Sequence, residues 1–175
     1  MHSLFRLGLI LAISGLPLLA NASHHLGTPL TEEQIAPWDI DVGPDGRGLP
    51  AGSGDVAMGA HVFASKCAAC HGAAGQGLIG DALVGGRGTL ASNKPKRTVG
   101  SYWPYATTLF DYIRRAMPFN APQSLSADEV YALSAYLLNQ NGIVPPGTIL
   151  DKDSLPKVIM PNRDGFVPDS RPGKL

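Results

Sequence analysis

Three stretches of the chain show the apolar spacing of amphipathic helices. The first runs from Asp55 to Cys70, the second from Thr107 to Met117, and the third from Ser126 to about Asn141. Apolar residues recur in them every three or four positions, which places them on one helix face. The segments between them show no alternation of apolar and polar residues, so no strand is predicted. The pattern therefore predicts an all-α domain.

The ends of these helices carry residues that favour starts and stops. Ser126 followed by Glu129 is the pattern of a capping box, in which each side chain satisfies a backbone N–H group of the first turn. Gly142 suits the left-handed conformation that commonly ends a helix. Pro118 ends the second helix and restricts Met117 to an extended or turn conformation. Met117 is therefore expected to lie just outside the helix.

Loop-forming residues are abundant on both sides of the helical region, with 21 glycines and 15 prolines among 175 residues. Residues 23–54 are predicted to form an irregular arm, apart from one helical turn at 31–34. Residues 55–142 form the helical domain, and residues 143–175 an irregular tail on its surface. The 14 basic and 14 acidic residues balance, so nucleic-acid binding through phosphate neutralisation is not expected.

The N-terminal segment has the pattern of a secretory signal peptide. The apolar run Leu7–Ala20 follows one basic residue and ends at the small-residue pattern Ala20-Asn21-Ala22. A membrane anchor is the alternative, but the run is shorter than the ~20 apolar residues that span a bilayer. We expect residues 1–22 to be cleaved after Ala22. The mature chain, without a membrane span, would then be periplasmic.

The two cysteines of the chain stand in the motif Cys67-Ala68-Ala69-Cys70-His71. Cys-x-x-Cys-His is the attachment signature of c-type haem. Two thiols at this spacing bond to the two vinyl groups of one haem edge, and the adjacent imidazole reaches the iron. The alternatives are a redox-active dithiol and half of a zinc site. Helical spacing before the motif and glycines after it disfavour the dithiol, and the sequence offers no second ligand pair for zinc.

The motif makes His71 the predicted ligand on one side of the iron. On the opposite side Met117 is the best candidate, because Pro118 holds it at the end of a helix. Met160 in the tail is a weaker candidate, and histidines or an open site are further alternatives. The second nitrogen of the His71 ring is expected to donate to a backbone carbonyl, with Gly80–Leu83 as the candidate stretch.

Further cofactor contacts are predicted from the segments that follow the motif. The glycine-rich loop from Gly72 to Gly88 lacks the lysine that follows the glycines of a phosphate loop. A flexible backbone that wraps a flat ligand explains its many glycines better. Within it, Leu83 is a candidate to contact the ring. Arg87, Tyr102 and Trp103 are candidates to donate to the haem propionates, although an aromatic pair beside a proline is equally typical of a core.

In its order of elements the chain resembles a class I c-type cytochrome. The shared features are a leading helix, Cys-x-x-Cys-His, a methionine before a proline, and a closing helix. The resemblance implies a small all-α domain of three to four helices around one covalently attached haem c. It also implies that the first and last helices cross through Gly59 and Phe63 against Tyr136.

Longer segments are similar to the cytochrome subunits of molybdenum sulfite dehydrogenases and of Sox-type sulfane dehydrogenases. They are Ile35–Asp41, Thr98–Pro118 with its Tyr-Trp-Pro run, and Met160–Phe166. This resemblance implies a molybdenum-cofactor catalytic subunit as partner and a downstream cytochrome or oxidase as electron acceptor. Sox-type subunits usually carry a second haem domain, whereas this chain has one motif, which favours the single-haem kind.

Three functions remain open from the sequence. The favoured one is a periplasmic monohaem electron-transfer subunit that accepts electrons from a molybdenum-dependent dehydrogenase of sulfite or a related sulfur compound. In that case the chain alone is not expected to be catalytic. The alternatives are a free soluble electron carrier and a haem enzyme that acts directly on a sulfur compound or peroxide. The enzyme would need an open or weakly held second ligand position.

Overall fold

The computed structural model describes residues 27–168 of the chain. The predicted signal peptide, residues 1–22, lies outside them. The elements, in chain order, are α1 (Glu32–Ile35), β1 (Ser53–Asp55), α2 (Val56–Lys66), α3 (Ala68–His71), α4 (Ala106–Ala116), α5 (Ala127–Gln140), β2 (Ile149–Asp151) and a 3₁₀ turn (Leu155–Lys157). The regular structure of these residues is therefore mostly helical, with two short strands that the apolar pattern did not predict.

The helix ends agree with the predicted starts and stops. Ser126 and Glu129 form the capping box at the start of α5, and Gly142 follows the helix with φ +65°. At the start of α2 the carboxylate of Asp55 accepts a hydrogen bond from the backbone N–H of Met58 at 2.7 Å. These contacts satisfy backbone groups that a helix end leaves without partners. Local residues therefore determine where α2 and α5 begin.

The first and last long helices, α2 and α5, cross at a glycine. A methyl group on Gly59 would collide with the backbone carbonyl of Ala132 and would lie 2.7 Å from Cβ of Tyr136. Next to this contact the rings of Phe63 and Tyr136 pack with centroids 5.1 Å apart. The crossing expected through Gly59, Phe63 and Tyr136 is confirmed. It allows close contact between the backbones at the helix pair that leads into the Cys-x-x-Cys-His motif.

The tail departs from the expectation of an irregular segment on the surface. β2 pairs antiparallel with β1, with Leu150 opposite Gly54. Leu150, Leu155 and Met160 are almost completely buried, with 2%, 0% and 1% exposure. These residues are widely spaced among prolines and glycines, so no helical or strand period reveals that they enter the core. The tail is an integral layer of the domain.

Part of the arm is also anchored to the helices. The backbone N–H of Val42 donates to the buried carboxylate of Asp111 on α4 at 2.9 Å, and Asp111 is paired with Arg115 one turn later. The hydroxyl of Tyr131 on α5 donates to the carbonyl of Pro50 at 2.8 Å. The pKa of Tyr131 is raised to about 12, mainly by burial. The arm from residue 42 to residue 50 is therefore held by side chains far away in sequence.

An ion pair between α2 and α5 predicts a pH dependence of stability. The ammonium of Lys66 lies 2.6 Å from the carboxylate of Glu129, and this contact, more than any other, lowers the pKa of Glu129 below its usual value of 4.5. The pair therefore stabilises the fold above pH ~4.5, and this contribution is lost as the pH falls through the lowered pKa.

Glu129→Gln removes the charge but keeps the capping box. The variant is expected to lose about 0.5 kcal/mol of stability at neutral pH and to approach the stability of the original chain near pH 3. Thermal unfolding followed by circular dichroism between pH 3 and 7 measures this, with exposed Glu33→Gln as the matched control. An equal difference in stability at every pH would contradict the ion-pair explanation.

Candidate functional site

The Cys-x-x-Cys-His motif forms a single turn at the end of α2. Cys67 breaks the helix with φ −125° and ψ −36°, and the N–H groups of Cys70 and His71 then donate to its carbonyl at 3.1 and 3.0 Å. Both thiols are free. Residues three and four positions apart share one side of a helical turn. This geometry suits attachment of both thiols and the imidazole to one flat ligand.

The His71 ring is oriented by the loop that follows it. Its Nδ1 lies 2.7 Å from the carbonyl oxygen of Asp81, which confirms the expected contact with the Gly80–Leu83 stretch. Such a contact assigns the proton to Nδ1 and leaves Nε2 as the atom available to a metal. Gly80 permits the close approach, because a Cβ there would lie 2.9 Å from the ring atom Cε1.

Hydrogen bonds of Asn141, directly after α5, hold the glycine-rich loop against this helix. The side chain of Asn141 accepts from the N–H of Gly85 at 3.0 Å and donates to the carbonyls of Leu83 and Leu137 at 3.1 and 2.8 Å. Leu83 is thereby held half-buried against the core. The sequence predicts Asn141 only as the approximate end of a helix. Its position directly before Gly142 was the one feature that could have indicated a role at the helix end.

Met117 lies where the sequence predicts it, directly after α4. Its backbone is extended, with φ −119° and ψ 149°, and its side chain packs half-buried at the edge of the core. The other two methionines in the described part of the chain differ from it. Met58 is 38% exposed on α2, and Met160 is 1% exposed inside the core. Met117 therefore stays the best candidate for a second iron ligand.

The predicted propionate donors have different surroundings. The Trp103 ring meets Tyr112 edge-on, with centroids 5.7 Å apart. The Tyr102 ring contacts Arg97, whose guanidinium carbon lies 5.4 Å from the ring centroid. Arg87 is exposed and lines a depression of about 400 Å³ beside Ser101, together with residues of the tail.

The alternatives to haem gain no support from the site. Among residues 27–168 no group of three or more histidines, cysteines or acids is arranged to hold a metal ion. A reactive dithiol has a lowered thiol pKa, whereas the pKa of Cys67 is raised to about 11, mainly by burial. The residues present therefore fit a covalently held haem: two free thiols on one turn, an oriented imidazole and a half-buried thioether.

Comparisons with known proteins show what the chain is similar to. Residues 54–137 match the family described as cytochrome C oxidase, cbb3-type, subunit III. Among solved structures, the chain is similar to one in the crystal structure of the sulfane dehydrogenase SoxCD from Paracoccus pantotrophus. The TM-score is 0.79 and the identity 47%, over 84% of this chain and 73% of that chain. The search of curated proteins finds no match.

Proposed function

The chain belongs to the cytochrome c family, whose cofactor is haem c, and from this premise we propose that it is a monohaem electron-transfer subunit. When bound, haem c supplies an iron that accepts and releases single electrons. Cys67 and Cys70 would hold it covalently, and Nε2 of His71 would bind the iron on one side. The observation that carries the proposal is the orientation of the His71 ring by the Asp81 carbonyl at 2.7 Å.

Met117 would be the ligand on the other side of the iron. A thioether opposite an imidazole favours the ferrous state more than a second imidazole does, and so raises the reduction potential. Two protein ligands also leave no position for a substrate, which restricts the site to electron transfer. The chain by itself would then not be catalytic, and the chemical reaction would belong to a partner.

Exposed apolar side chains close to both predicted ligands support electron exchange with other proteins. Ile79, in the turn before Gly80, and Phe119, two residues after Met117, are each 86% exposed. The N–H of Gly80 donates to the carbonyl of Cys70 at 2.8 Å, which holds this turn beside the motif. Contiguous exposed apolar patches mark contact surfaces, and we propose that both side chains belong to the surface that meets an electron-transfer partner.

The partner that we propose is a molybdenum-cofactor subunit that oxidises sulfite or a related sulfur compound. The similarity to a chain of the sulfane dehydrogenase SoxCD supports it. Trp38 in the acidic arm is 83% exposed and is available for contact with another subunit. The predicted signal peptide supports a periplasmic location. Within residues 27–168 no helix is long and apolar enough to cross a membrane.

The test of this proposal uses the tagged chain purified from its native host under mild conditions. Sulfite, and then thiosulfate as a sulfane-sulfur donor, is added without oxygen to the oxidised eluate while the haem absorbance is followed. We expect rapid reduction and a molybdenum-containing subunit in the same eluate. The control is the recombinant haem-loaded chain alone, which should stay oxidised.

Two outcomes would contradict the proposal and identify an alternative. Reduction of the recombinant chain without any partner would indicate a haem enzyme that acts directly on the sulfur compound. An eluate with neither molybdenum nor reduction would indicate a free soluble carrier. Reduction by thiosulfate but not by sulfite would keep the subunit role and identify the donor's substrate.

A further inference from the structure

We propose that the tail residues 160–166, which we call the tail clasp, position the Tyr102–Tyr105 segment and thereby set the reduction potential of the site. Three contacts carry this inference. The amide of Asn162 donates to the carbonyl of Tyr102 at 2.6 Å. The guanidinium carbon of Arg163 lies 4.4 Å from the centroid of the Tyr105 ring. Phe166 meets the Tyr102 ring edge-on, with centroids 5.2 Å apart.

The tail clasp is anchored in the hydrophobic core by its first residue. Met160, its first residue, is 1% exposed, and its carbonyl accepts from the N–H of Arg163 at 3.1 Å. The N–H of Gly165 donates to the carbonyl of Asn162 at the same distance. Two successive turns therefore present the side chains of Asn162 and Arg163 from a buried support, so the tail clasp can hold the segment that it touches in a defined position.

The segment that the tail clasp holds has two further contacts: the N–H of Tyr102 donates to the carbonyl of Thr98 at 3.0 Å, and the Trp103 ring packs on α4. Its four residues are all half-buried. Tyr105 is the residue before α4, and no side chain caps this helix start. α4 ends directly before Met117, so the segment and the predicted iron ligand lie at the two ends of one helix. We expect a displacement of Tyr105 to alter the position of Met117 through this helix.

The segment also carries two of the predicted contacts to the haem, Tyr102 and Trp103. Burial and hydrogen bonding around a haem are among the factors that determine its potential. Release of the segment would admit water, and water stabilises the more highly charged ferric state. Loss of the tail clasp should therefore lower the potential. This inference rests on the proposed function, since it assumes a haem held by Cys67, Cys70 and His71.

The test compares Asn162→Leu and Phe166→Ala with the original chain, and neither change alters the charge. Val167→Ala, at an 83% exposed neighbour, is the matched control. Haem content is measured first by the pyridine haemochrome, and the potential is then measured by spectroelectrochemistry. Both variants should keep their haem, and the ferrous-to-ferric ratio at fixed potential should fall by up to about tenfold, which is ~59 mV for a one-electron couple.

The outcomes separate this inference from the proposed function. If the original chain binds no haem, the proposed function fails. If all variants bind haem and keep the potential of the Val167→Ala control, the positioning role of the tail clasp is wrong, whatever happens to their thermal stability. If Asn162→Leu does not fold, the potential of Phe166→Ala decides by the same criterion, because its side chain is 53% exposed.

Discussion

Exchange of both Cys67 and Cys70 for serine is expected to give a protein with no covalently attached haem. Serine keeps the size of each side chain but cannot form the thioether bonds. Denaturing gels stained for haem peroxidase activity, together with intact-protein mass, measure the loss, which should be complete. The matched control is Ser65→Ala at the end of α2, where the hydroxyl contacts only the carbonyls of His61 and Val62.

Single serine variants sharpen this prediction. Either thiol alone can form one thioether bond, so each single variant should keep part of the haem after denaturation. Chain produced together with a haem-attachment system is needed for the comparison. A double variant that still shows covalent haem would contradict the assignment. A wild-type chain that carries a Cys67–Cys70 disulfide in place of haem would support the redox dithiol.

Replacement of Met117 by leucine is expected to give the largest change in reduction potential. Leucine fills a similar volume, a swap that usually costs below ~1.5 kcal/mol of stability, but it removes the thioether. Haem should stay attached through the two cysteines, and the near-infrared charge-transfer band of methionine-ligated ferric haem should disappear. We expect the ferrous-to-ferric ratio at fixed potential to fall at least about a hundredfold, or ~0.12 V.

The other two methionines within residues 27–168 provide the controls. Met58→Leu changes a partly exposed side chain on α2, and Met160→Leu changes one that is buried in the core. Both should keep the charge-transfer band, and Met160→Leu should alter the potential less than Met117→Leu. Loss of the band in Met160→Leu alone would transfer the ligand role to Met160. Absence of the band from the unmutated ferric protein would exclude methionine ligation.

Together these experiments test the two parts of the proposed haem site, the motif turn and the second iron ligand. The motif turn provides covalent attachment and one ligand, and its geometry depends on hydrogen bonds within the 67–85 region. Met117 directly follows α4, and the position of α4 depends on the tail and the arm. The cysteine exchange therefore tests a local structure, whereas the methionine exchange tests how α4 is held relative to the motif.

The sequence by itself determined the long helices, where they begin and end, and the place of the Cys-x-x-Cys-His motif after the first of them. The capping box of Ser126 and Glu129, the extended Met117 before Pro118, and the His71 contact with the Gly80–Leu83 stretch all depend on groups within about ten residues of one another. Local hydrogen bonds and backbone preferences act at this range, so a residue pattern reports them directly.

Only the tertiary structure decided the course of the arm and the tail. The β1–β2 pairing, the Tyr131 contact with Pro50 and the Asn162 contact with Tyr102 each join residues at least 60 positions apart. No local period accompanies such contacts, because the residues that make them are single side chains in glycine- and proline-rich segments. These contacts form only when the helices pack, and that packing makes the predicted surface tail a layer of the domain that contacts Tyr102 and Tyr105.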